Sequence, residues 1–290
     1  DLTETTLTTI PKIYEALFIG GFDLVYRYLN DDGRTIQSYL GKIVKDEENS
    51  TEEQILQKVT GTFLPDNIST ISVSPDKNKV FYIYPFGGGV AGINHNILTG
   101  KKTQIFTSAF HEWNAFWPND KTVTITTKPS ARAMGYMYSI DSNLGGMNKI
   151  LGNIPGLTTL TSGNLSNVLV GGANSGSIST SFFDTKTGNS VRLPVNTLPE
   201  KCVWNTQSTR VFCGVPVNIP NGDYPDVWYR GEVSFSDTLW QVDTNGNGSI
   251  LFNPEELGEN IDAINLQLDN SGENLFFINK TDSSLWEYQI

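Results

Sequence analysis

The chain has 290 residues, of which 38% are hydrophobic and 18% are charged, and its formal net charge is −11. This size and composition are typical of a globular protein with a sizeable core. The negative charge repels phosphate backbones and anionic lipid headgroups, so we expect neither nucleic acid nor a membrane surface as a partner. No apolar stretch reaches the roughly 20 residues of a membrane-spanning helix, so we expect no membrane insertion by this segment.

One sequence shape recurs along the chain: an apolar strand, a polar turn, and a second strand rich in Val, Phe and Ile. The second strands of the copies start at Leu24, Val80, Val123, Val168, Val211 and Leu275. Most intervals are close to the 40 to 45 residues of a β-propeller blade, which has four antiparallel strands. Insertions at residues 44–60 and 214–236 account for the two longer intervals.

The repeat predicts an all-β fold in which residues 1–290 form a single β-propeller domain. Six blades are favoured, and a blade hidden in an insertion or missing before Asp1 would make seven. The last repeat lacks a fourth strand, while "DLTETTLT" precedes the first repeat. We therefore expect the N- and C-terminal strands to close the ring together.

The stretch "YPFGGGVAGINH" (84–95) follows an apolar strand and contains the spacing G-x-G-x-x-G. A dinucleotide site needs a helix directly after these glycines, because the helix N-terminus holds the pyrophosphate. Here β-forming residues and another turn follow instead. We interpret "PFGGGVAG" as a flexible loop between the second and third strands of a blade, and Pro85 as marking the strand end. With "KPSARAMG", "GGANSGS" and the 214–236 insertion, it forms a set of long connections on one propeller face.

Two acids occupy equivalent positions near the start of a first strand, Glu112 beside Trp113 and Glu200 before Cys202. Asp262 lies near the same position in the last repeat. Such residues can line the mouth of the central channel, where paired carboxylates could hold a cation, bind a ligand or catalyse acid–base chemistry on a sugar. The alternative is solvated charges at strand ends. We take Glu112, Trp113 and Glu200 as candidate ligand-binding residues.

The only two cysteines, Cys202 and Cys213, flank the hairpin "CVWNTQSTRVFC". With the turn centred on Gln207 and Ser208, they face each other across an antiparallel pair, within disulfide range. We predict a disulfide, which indicates an oxidising compartment, over a pair of buried thiols.

The 214–236 insertion contains Tyr224, Trp228, Tyr229 and Arg230 around two prolines. Aromatic residues and Arg are enriched at binding hot spots, so Tyr224, Trp228 and Tyr229 are further ligand-binding candidates. In the alternative, these rings fold back and pack over the blade.

The stretch "DTNGNGSILF" places Asp243, Asn245 and Asn247 at alternate positions before a glycine. Oxygen ligands in this pattern suit calcium, although Pro254 stands where the full calcium motif has Glu. The alternative is an ordinary Asn/Gly turn between strands. We expect no required cofactor, with calcium as the one candidate ion.

The segments "SVSPDKNKVFYIYPFGGG", "LPEKCVWN" and "DAINLQLDNSGENLFFINKTDSSLW" resemble WD-repeat or TolB-like single-domain propellers, and specifically uncharacterised secreted propellers of candidate-phyla bacteria. The resemblance spans essentially the whole chain, although several turns depart from the S-P-D form. It implies an extracellular or cell-surface location, with an anchor outside this segment. It implies no activity and no site residues.

These observations favour a monomeric, non-enzymatic binding scaffold that presents loops on one propeller face to a protein or a glycan. The rival hypothesis is a carbohydrate-active hydrolase or lyase that uses the channel-mouth acids. Two carboxylates about 5–9.5 Å apart in a deep pocket would favour the enzyme. An exposed aromatic patch would favour binding.

Overall fold

The computed structural model describes residues 12–21, 23–50 and 56–290, and these residues form six antiparallel sheets. The first three sheets have four strands each. They comprise β1 (Ile13–Gly20), β2 (Asp23–Leu29), β3 (Ile36–Lys45) and β4 (Gln57–Phe63); β5 (Thr70–Val73), β6 (Lys79–Phe86), β7 (Gly89–Asn96) and β8 (Lys102–Ser108); and β9 (Trp113–Asn119), β10 (Thr122–Thr127), β11 (Met134–Asp141) and β12 (Gly145–Pro155).

The fourth and fifth sheets also have four strands, and the sixth has three in the described part of the chain. They comprise β13 (Thr158–Thr161), β14 (Asn167–Asn174), β15 (Ser177–Asp184) and β16 (Ser190–Arg192); β17 (Cys202–Trp204), β18 (Arg210–Pro216), β19 (Asp237–Asp243) and β20 (Gly248–Phe252); and β21 (Ala263–Leu268), β22 (Asn274–Asn279) and β23 (Leu285–Gln289). A short α-helix, α1 (Asp226–Tyr229), and 3-10 turns at Pro199–Lys201 and Pro254–Leu257 complete the described elements.

In each sheet, neighbouring strands are consecutive in the chain. The protein is a six-bladed β-propeller, as the repeat predicts. The predicted anchor residues occupy one structural position, the second residue of the second strand in every blade. The predicted ring closure rests on residues 1–8, which lie outside the described residues. It stays a prediction.

Four of the second strands, β6, β10, β14 and β18, have at least four consecutive buried residues, so both faces of each strand are covered. In β6, Val80, Phe81, Tyr82 and Ile83 are all buried, whereas every residue of the outer strand β16 is exposed. Between adjacent blades the apolar faces meet in separate clusters. One cluster joins Val80 and Tyr82 to the first sheet, and others join the third sheet to the fourth, the fourth to the fifth and the fifth to the sixth.

The chain divides into two compact units. The first runs to Lys121 and takes in Asp141–Gly146, and the second contains Thr122–Ile140 and Met147–Ile290. The prediction of a single domain over residues 1–290 stays a prediction.

The glycine stretch is a tight hairpin, not a long flexible loop. β6 continues through Pro85 to Phe86, and β7 begins at Gly89. Gly87 and Gly88 alone make the turn, with φ of 59° and 81°. A two-residue hairpin whose central residues both have positive φ favours glycine at each. The expectations of a strand end at Pro85 and a long connection here are wrong.

The connection "GGANSGS" is equally tight, because only residues 175–176 separate β14 from β15. The longest connections between second and third strands are residues 217–236 in the fifth blade and the six-residue segments 30–35 in the first blade and 128–133 in the third. Residues 128–133 and 217–236 belong to the second compact unit.

Candidate functional site

The 217–236 loop between β18 and β19 is folded around its own aromatic residues. Tyr224, Trp228 and Phe235 are buried, and the Phe235 ring stacks on both others, with centroids 5.8 Å from Tyr224 and 6.3 Å from Trp228. Ile178 of β15, in the fourth blade, and Leu198, which precedes the fifth blade, belong to the same buried cluster. Tyr224 and Trp228 thus occupy the packed position that the alternative interpretation expects. Their rings hold the loop on the blade.

A buried group of charges lies beneath this loop. The ammonium group of Lys201, which is 0% exposed, is 2.7 Å from Asp237 Oδ2 and also donates to Asp262 Oδ1 and, at 3.0 Å, to the carbonyl of Ala263. Both carboxylates are fully buried as well. Burial raises the pKa of Asp237 to about 6 despite the opposing effect of the Lys201 charge.

Asp262 links these charges to the loop. Its Oδ2 accepts hydrogen bonds from Trp228 Nε1 at 2.9 Å and from the backbone N–H of Phe235 at 3.1 Å. Lys280 donates to the Trp228 carbonyl at 2.6 Å, and its ammonium lies 4.2 Å from the centre of the Trp228 ring. Asp262 is therefore a buried anchor and not a channel-mouth acid, because its carboxylate is used for hydrogen bonds to the loop.

The structure brings two predicted residues together, Tyr229 of this loop and Glu200 of the 3-10 turn before β17. The phenol of Tyr229 donates a hydrogen bond to Glu200 Oε1. Both side chains are accessible to solvent, and Tyr229 is 44% exposed. Desolvation by the surrounding protein raises the pKa of Glu200, and the Tyr229 hydrogen bond opposes that effect. Desolvation and the adjacent Glu200 charge also raise the pKa of Tyr229.

A polar pocket of about 200 Å³ adjoins this pair in sequence and space. Its walls are Ser130, Ala131, Arg132, Asp223, Asp226 and Arg230. Asp226 Oδ2 accepts the Ala131 N–H at 2.7 Å, and Arg132 pairs with Asp223 at 2.7 Å. The two long connections of the third and fifth blades thus meet here, in a pocket lined by charges of both signs.

The other predicted acid is Glu112. Glu112 is exposed and precedes β9 in the first compact unit, whereas Glu200 belongs to the second. Trp113 is buried, packs edge-to-face against Phe106 and Phe110, and donates Nε1–H to the Phe110 carbonyl at 2.9 Å. Ligand binding by Glu112 and Trp113 stays a prediction, as does the pairing of Glu112 with Glu200.

The predicted disulfide is present. Cys202 and Cys213 are direct partners in the β17–β18 register, with Cα atoms 4.1 Å apart, and they are bonded to each other. The register also pairs Trp204 with Val211, as the turn position predicts. The disulfide lies in the core between the fourth and fifth blades.

The predicted calcium turn is closed by its own hydrogen bonds. Asp243 Oδ1 accepts the backbone N–H groups of Asn245 and Asn247, both at 2.9 Å, and Oδ2 accepts the Asn247 side-chain amide at 3.0 Å. These hydrogen bonds lower the pKa of Asp243, with the Asn247 side chain contributing most. Asp141 and Asp184 cap the same turn in the preceding two blades. Calcium binding stays a prediction.

Sequence reasoning missed Lys201 and Asp237. The signal for Lys201 is its place directly before a first strand, the position that Asp262 occupies in the next blade. Opposite charges at equivalent positions of adjacent blades can pair. Asp237 follows a 20-residue loop, so no repeat spacing locates it.

Comparison with known proteins identifies the fold. No family model matches the chain, and no curated protein matches it. Among solved structures, TolB from Acinetobacter baumannii matches with a TM-score of 0.50 and 14% identity, over 78% of this chain and 50% of that chain. This chain thus spans half the length of that TolB chain. At such identity the match shows a TolB-like propeller fold.

Two further matches carry different activities in their names. The β-propeller domain of the Trilobed protease from Pyrococcus furiosus matches with a TM-score of 0.60 and 9% identity, over 96% of this chain and 81% of that chain. An oligogalacturonate lyase in complex with manganese matches with a TM-score of 0.55 and 12% identity, over 90% and 74%. The propeller fold alone therefore does not select a function. In the described part of the chain, no helix has the length and apolar character needed to cross a membrane.

Proposed function

We propose that the protein is a non-enzymatic, extracytoplasmic binding scaffold whose contact surface is the 217–236 loop together with Glu200. The observation that carries the proposal is the fixed position of the exposed Tyr229 ring. The preceding residue, Trp228, donates a hydrogen bond to Asp262 and accepts one from Lys280. These contacts fix the backbone that carries Tyr229. A site ordered before binding loses less conformational entropy when its ligand arrives.

The chemistry of this surface favours a glycan over a protein. A protein interface generally needs about 800 Å² per partner with an apolar centre. Here one exposed aromatic ring stands beside a small pocket lined by Arg132, Arg230 and two aspartates. Donors and acceptors in a compact pocket suit the hydroxyl groups of a sugar, and the ring offers a flat apolar face. A protein ligand is the other outcome of the test.

A glycan array with the intact chain tests the proposal, followed by calorimetry on any glycan that binds. Tyr229→Ala and Glu200→Gln should each weaken binding by about tenfold or more, equivalent to about 1.4 kcal/mol. Phe86→Ala is the matched control, because Phe86 is an exposed aromatic residue on the β6–β7 hairpin of the first compact unit. Equal affinity of the wild type, Tyr229→Ala and Glu200→Gln would refute this surface as the contact site.

One observation supports the rival enzymatic function. A carboxyl group with a raised pKa that accepts a hydrogen bond from a phenol is a candidate general acid, and Glu200 has both features. Incubation of bound glycans with the protein, with products separated by chromatography, distinguishes the two functions. Cleavage that Glu200→Gln abolishes would establish the enzyme. Binding without cleavage across the acidic to neutral range supports the scaffold.

The Cys202–Cys213 disulfide supports the extracytoplasmic location, because such bonds persist in oxidising compartments. Alkylation under denaturing conditions of the protein as isolated from its native host, followed by mass spectrometry, tests this. Unmodified, bonded cysteines are expected. Quantitative labelling of Cys202 and Cys213 before reduction would contradict the proposed location.

A further inference from the structure

His95 is a buried ionisable residue that the proposed binding surface does not use. It lies in β7, the third strand of the second blade, and only 5% of the residue is exposed. The chain has one other histidine, His111, which is exposed. Histidine has an ordinary pKa of about 6.5, so its charge can change within the pH range that a protein meets in its surroundings.

The sheet register places the His95 ring on the face of the second blade that packs against the first blade. His95 pairs directly with Val80 of β6, and Ile93 lies two residues before it on β7. Directly paired residues project to the same face of a sheet, and so do residues two apart on one strand. Val80 and Ile93 both belong to the buried cluster that joins the second blade to Ile19 and Val25 of the first. The imidazole therefore shares the face that makes this contact, within the first compact unit.

The Nδ1 atom of His95 is sealed from solvent and has no hydrogen-bond partner within the described residues. A neutral imidazole carries a proton on one ring nitrogen only, whereas the imidazolium carries N–H groups on both. Protonation of His95 therefore places a charged donor on Nδ1 with no acceptor. Such a buried donor is costly, so the packed blades favour the neutral ring.

A positive charge already lies beside this ring. Lys102 of β8 pairs directly with His95, so both side chains project from the same face of the sheet. The other charged side chains on the facing side of the first blade, or in the turn beside it, are Glu15, Asp23, Arg27, Lys42 and Lys77. The two acids among them both lie opposite a cation, Glu15 opposite Arg27 and Asp23 opposite Lys42. Burial lowers the pKa of His95, and the Lys102 charge lowers it further.

The direction of the pH effect follows from this lowered pKa. In the unfolded chain the ring binds a proton near its ordinary pKa of 6.5, whereas the folded protein binds it only at lower pH. The unfolded state therefore carries more protons between these two values, so stability falls as the pH falls. The contribution of His95 is fully present above about pH 6.5 and is lost as the pH drops through the folded-state pKa.

We propose that His95 makes the contact between the first and second blades sensitive to acid: the blades pack while its ring is neutral, and uptake of a proton by the ring weakens their packing. Both histidines of the chain belong to the first compact unit. In the second unit the raised pKa of Asp237 acts in the opposite direction on acidification. The 217–236 loop belongs to that second unit, so its proposed binding function does not depend on His95.

Hydrogen exchange of the intact protein, resolved by mass spectrometry at about pH 7 and pH 5, tests the proposal. Protection factors, which correct for the intrinsic pH dependence of exchange, are compared for peptides that cover β2, β6 and β7. One proton changes an opening equilibrium by at most tenfold per pH unit, so the limit over this range is about a hundredfold. On acidification, protection in the wild type should fall by about threefold to a hundredfold more than in His95→Gln. Other titrating groups contribute equally to both proteins.

His111→Gln is the matched control, because it removes an exposed histidine of the same unit. It should retain the pH dependence of the wild type. Lys102→Gln is a second test that leaves the core intact, since Lys102 is exposed. Loss of its charge should raise the pKa of His95 towards the unfolded value and so reduce the pH dependence. Lys101→Gln changes the adjacent exposed lysine, which does not pair with His95, and should have no such effect.

Equal pH dependence of protection in the wild type and His95→Gln would overturn the proposal. An equal effect of His111→Gln would overturn it as well, because it would show a general response to histidine charge. The same His95-dependent loss of protection in β14 and β18 of the second unit would show control of global unfolding instead of this contact. If His95→Gln does not fold, equal pH dependence in Lys102→Gln and Lys101→Gln would refute the role of the ring.

Discussion

Replacing Lys201 by Met tests whether the buried charges stabilise the fifth and sixth blades. Methionine is an unbranched side chain one heavy atom shorter than lysine, and it carries no charge. The ammonium of Lys201 contacts Asp237 Oδ2, Asp262 Oδ1 and the Ala263 carbonyl, all in the protein interior. In the variant, the two buried carboxylates lie close together and lose the ammonium group that contacts both of them.

The expected loss of unfolding free energy is about 3–5 kcal/mol at neutral pH, the usual cost of removing one partner from a buried ion pair. Domains of this kind are stable by about 5–15 kcal/mol in total, so the loss is a large fraction. The deficit should shrink on acidification. Without the lysine, the pKa of Asp237 rises further above its present value of about 6, and protonation then removes the buried negative charge.

Urea denaturation, followed by circular dichroism and tryptophan fluorescence at about pH 7 and pH 5, measures both effects. Lys186→Met is the control, because Lys186 is an exposed lysine in the same compact unit. Adding Asp237→Asn to Lys201→Met should restore part of the stability, since one uncompensated charge is removed. A loss below about 1 kcal/mol, or an equal loss at both pH values, would refute the reasoning.

Three further changes have defined outcomes. First, the pKa of Asp237 is raised from 3.8 to about 6 in the folded protein. The wild type should therefore lose about 3 kcal/mol of unfolding free energy relative to Asp237→Asn as the pH rises from about 4 through 6, measured by urea titration. A stability difference that does not change with pH would contradict this. Opening the Cys202–Cys213 disulfide with Cys202→Ala and Cys213→Ala should cost about 3 kcal/mol for a separation of 11 residues, and an unchanged urea midpoint would be inconsistent. If calcium binds the turn, it should raise the melting temperature of the wild type but not of Asp243→Asn, and equal melting curves with calcium or chelator would exclude a stabilising role.

The blade repeat could be predicted from the sequence because its signal is local. In most blades the second strand is buried on both faces, and in β6 this gives the unbroken apolar run Val80–Ile83. The register of the Cys202–Cys213 hairpin was equally accessible, since a short turn fixes which residues face each other. Both inferences needed only residues close together in the chain.

The glycine stretch contains positions that neighbouring residues in the sequence cannot explain. Gly87 and Gly88 are required by positive φ, a local property. Gly89 and Gly92 are required by space: a Cβ would lie 2.3 Å from the Ser108 carbonyl oxygen at Gly89 and 2.7 Å from the Phe81 ring at Gly92. These neighbours come from other strands. A sequence shows four glycines in six positions and cannot show that two distinct causes put them there.

The candidate site was predicted only in part, because its contacts join residues that are far apart in the chain. Tyr229 and Glu200 could be selected by residue type, but their hydrogen bond joins positions 29 residues apart. The sequence left two interpretations of Trp228 open, binding or packing over the blade, because the outcome depends on Asp262 in the next blade, whose carboxylate accepts the indole N–H. Residue type selected the candidate side chains. It did not determine which of them are exposed to a ligand and which pack in the interior to hold the loop in place.

On the 217–236 loop, the proposed contact residue Tyr229 and the buried charges are linked through hydrogen bonds and chain connectivity. Asp262 joins Lys201 to Trp228, and Trp228 directly precedes the exposed Tyr229. A change at Lys201 should therefore disturb the position of Tyr229 without touching a ligand. If Lys201→Met is still folded, it should weaken glycan binding as Tyr229→Ala does. Full affinity in a folded Lys201→Met variant would show that the loop is positioned by its aromatic stacking alone, and that the buried charges serve only the stability of the blades.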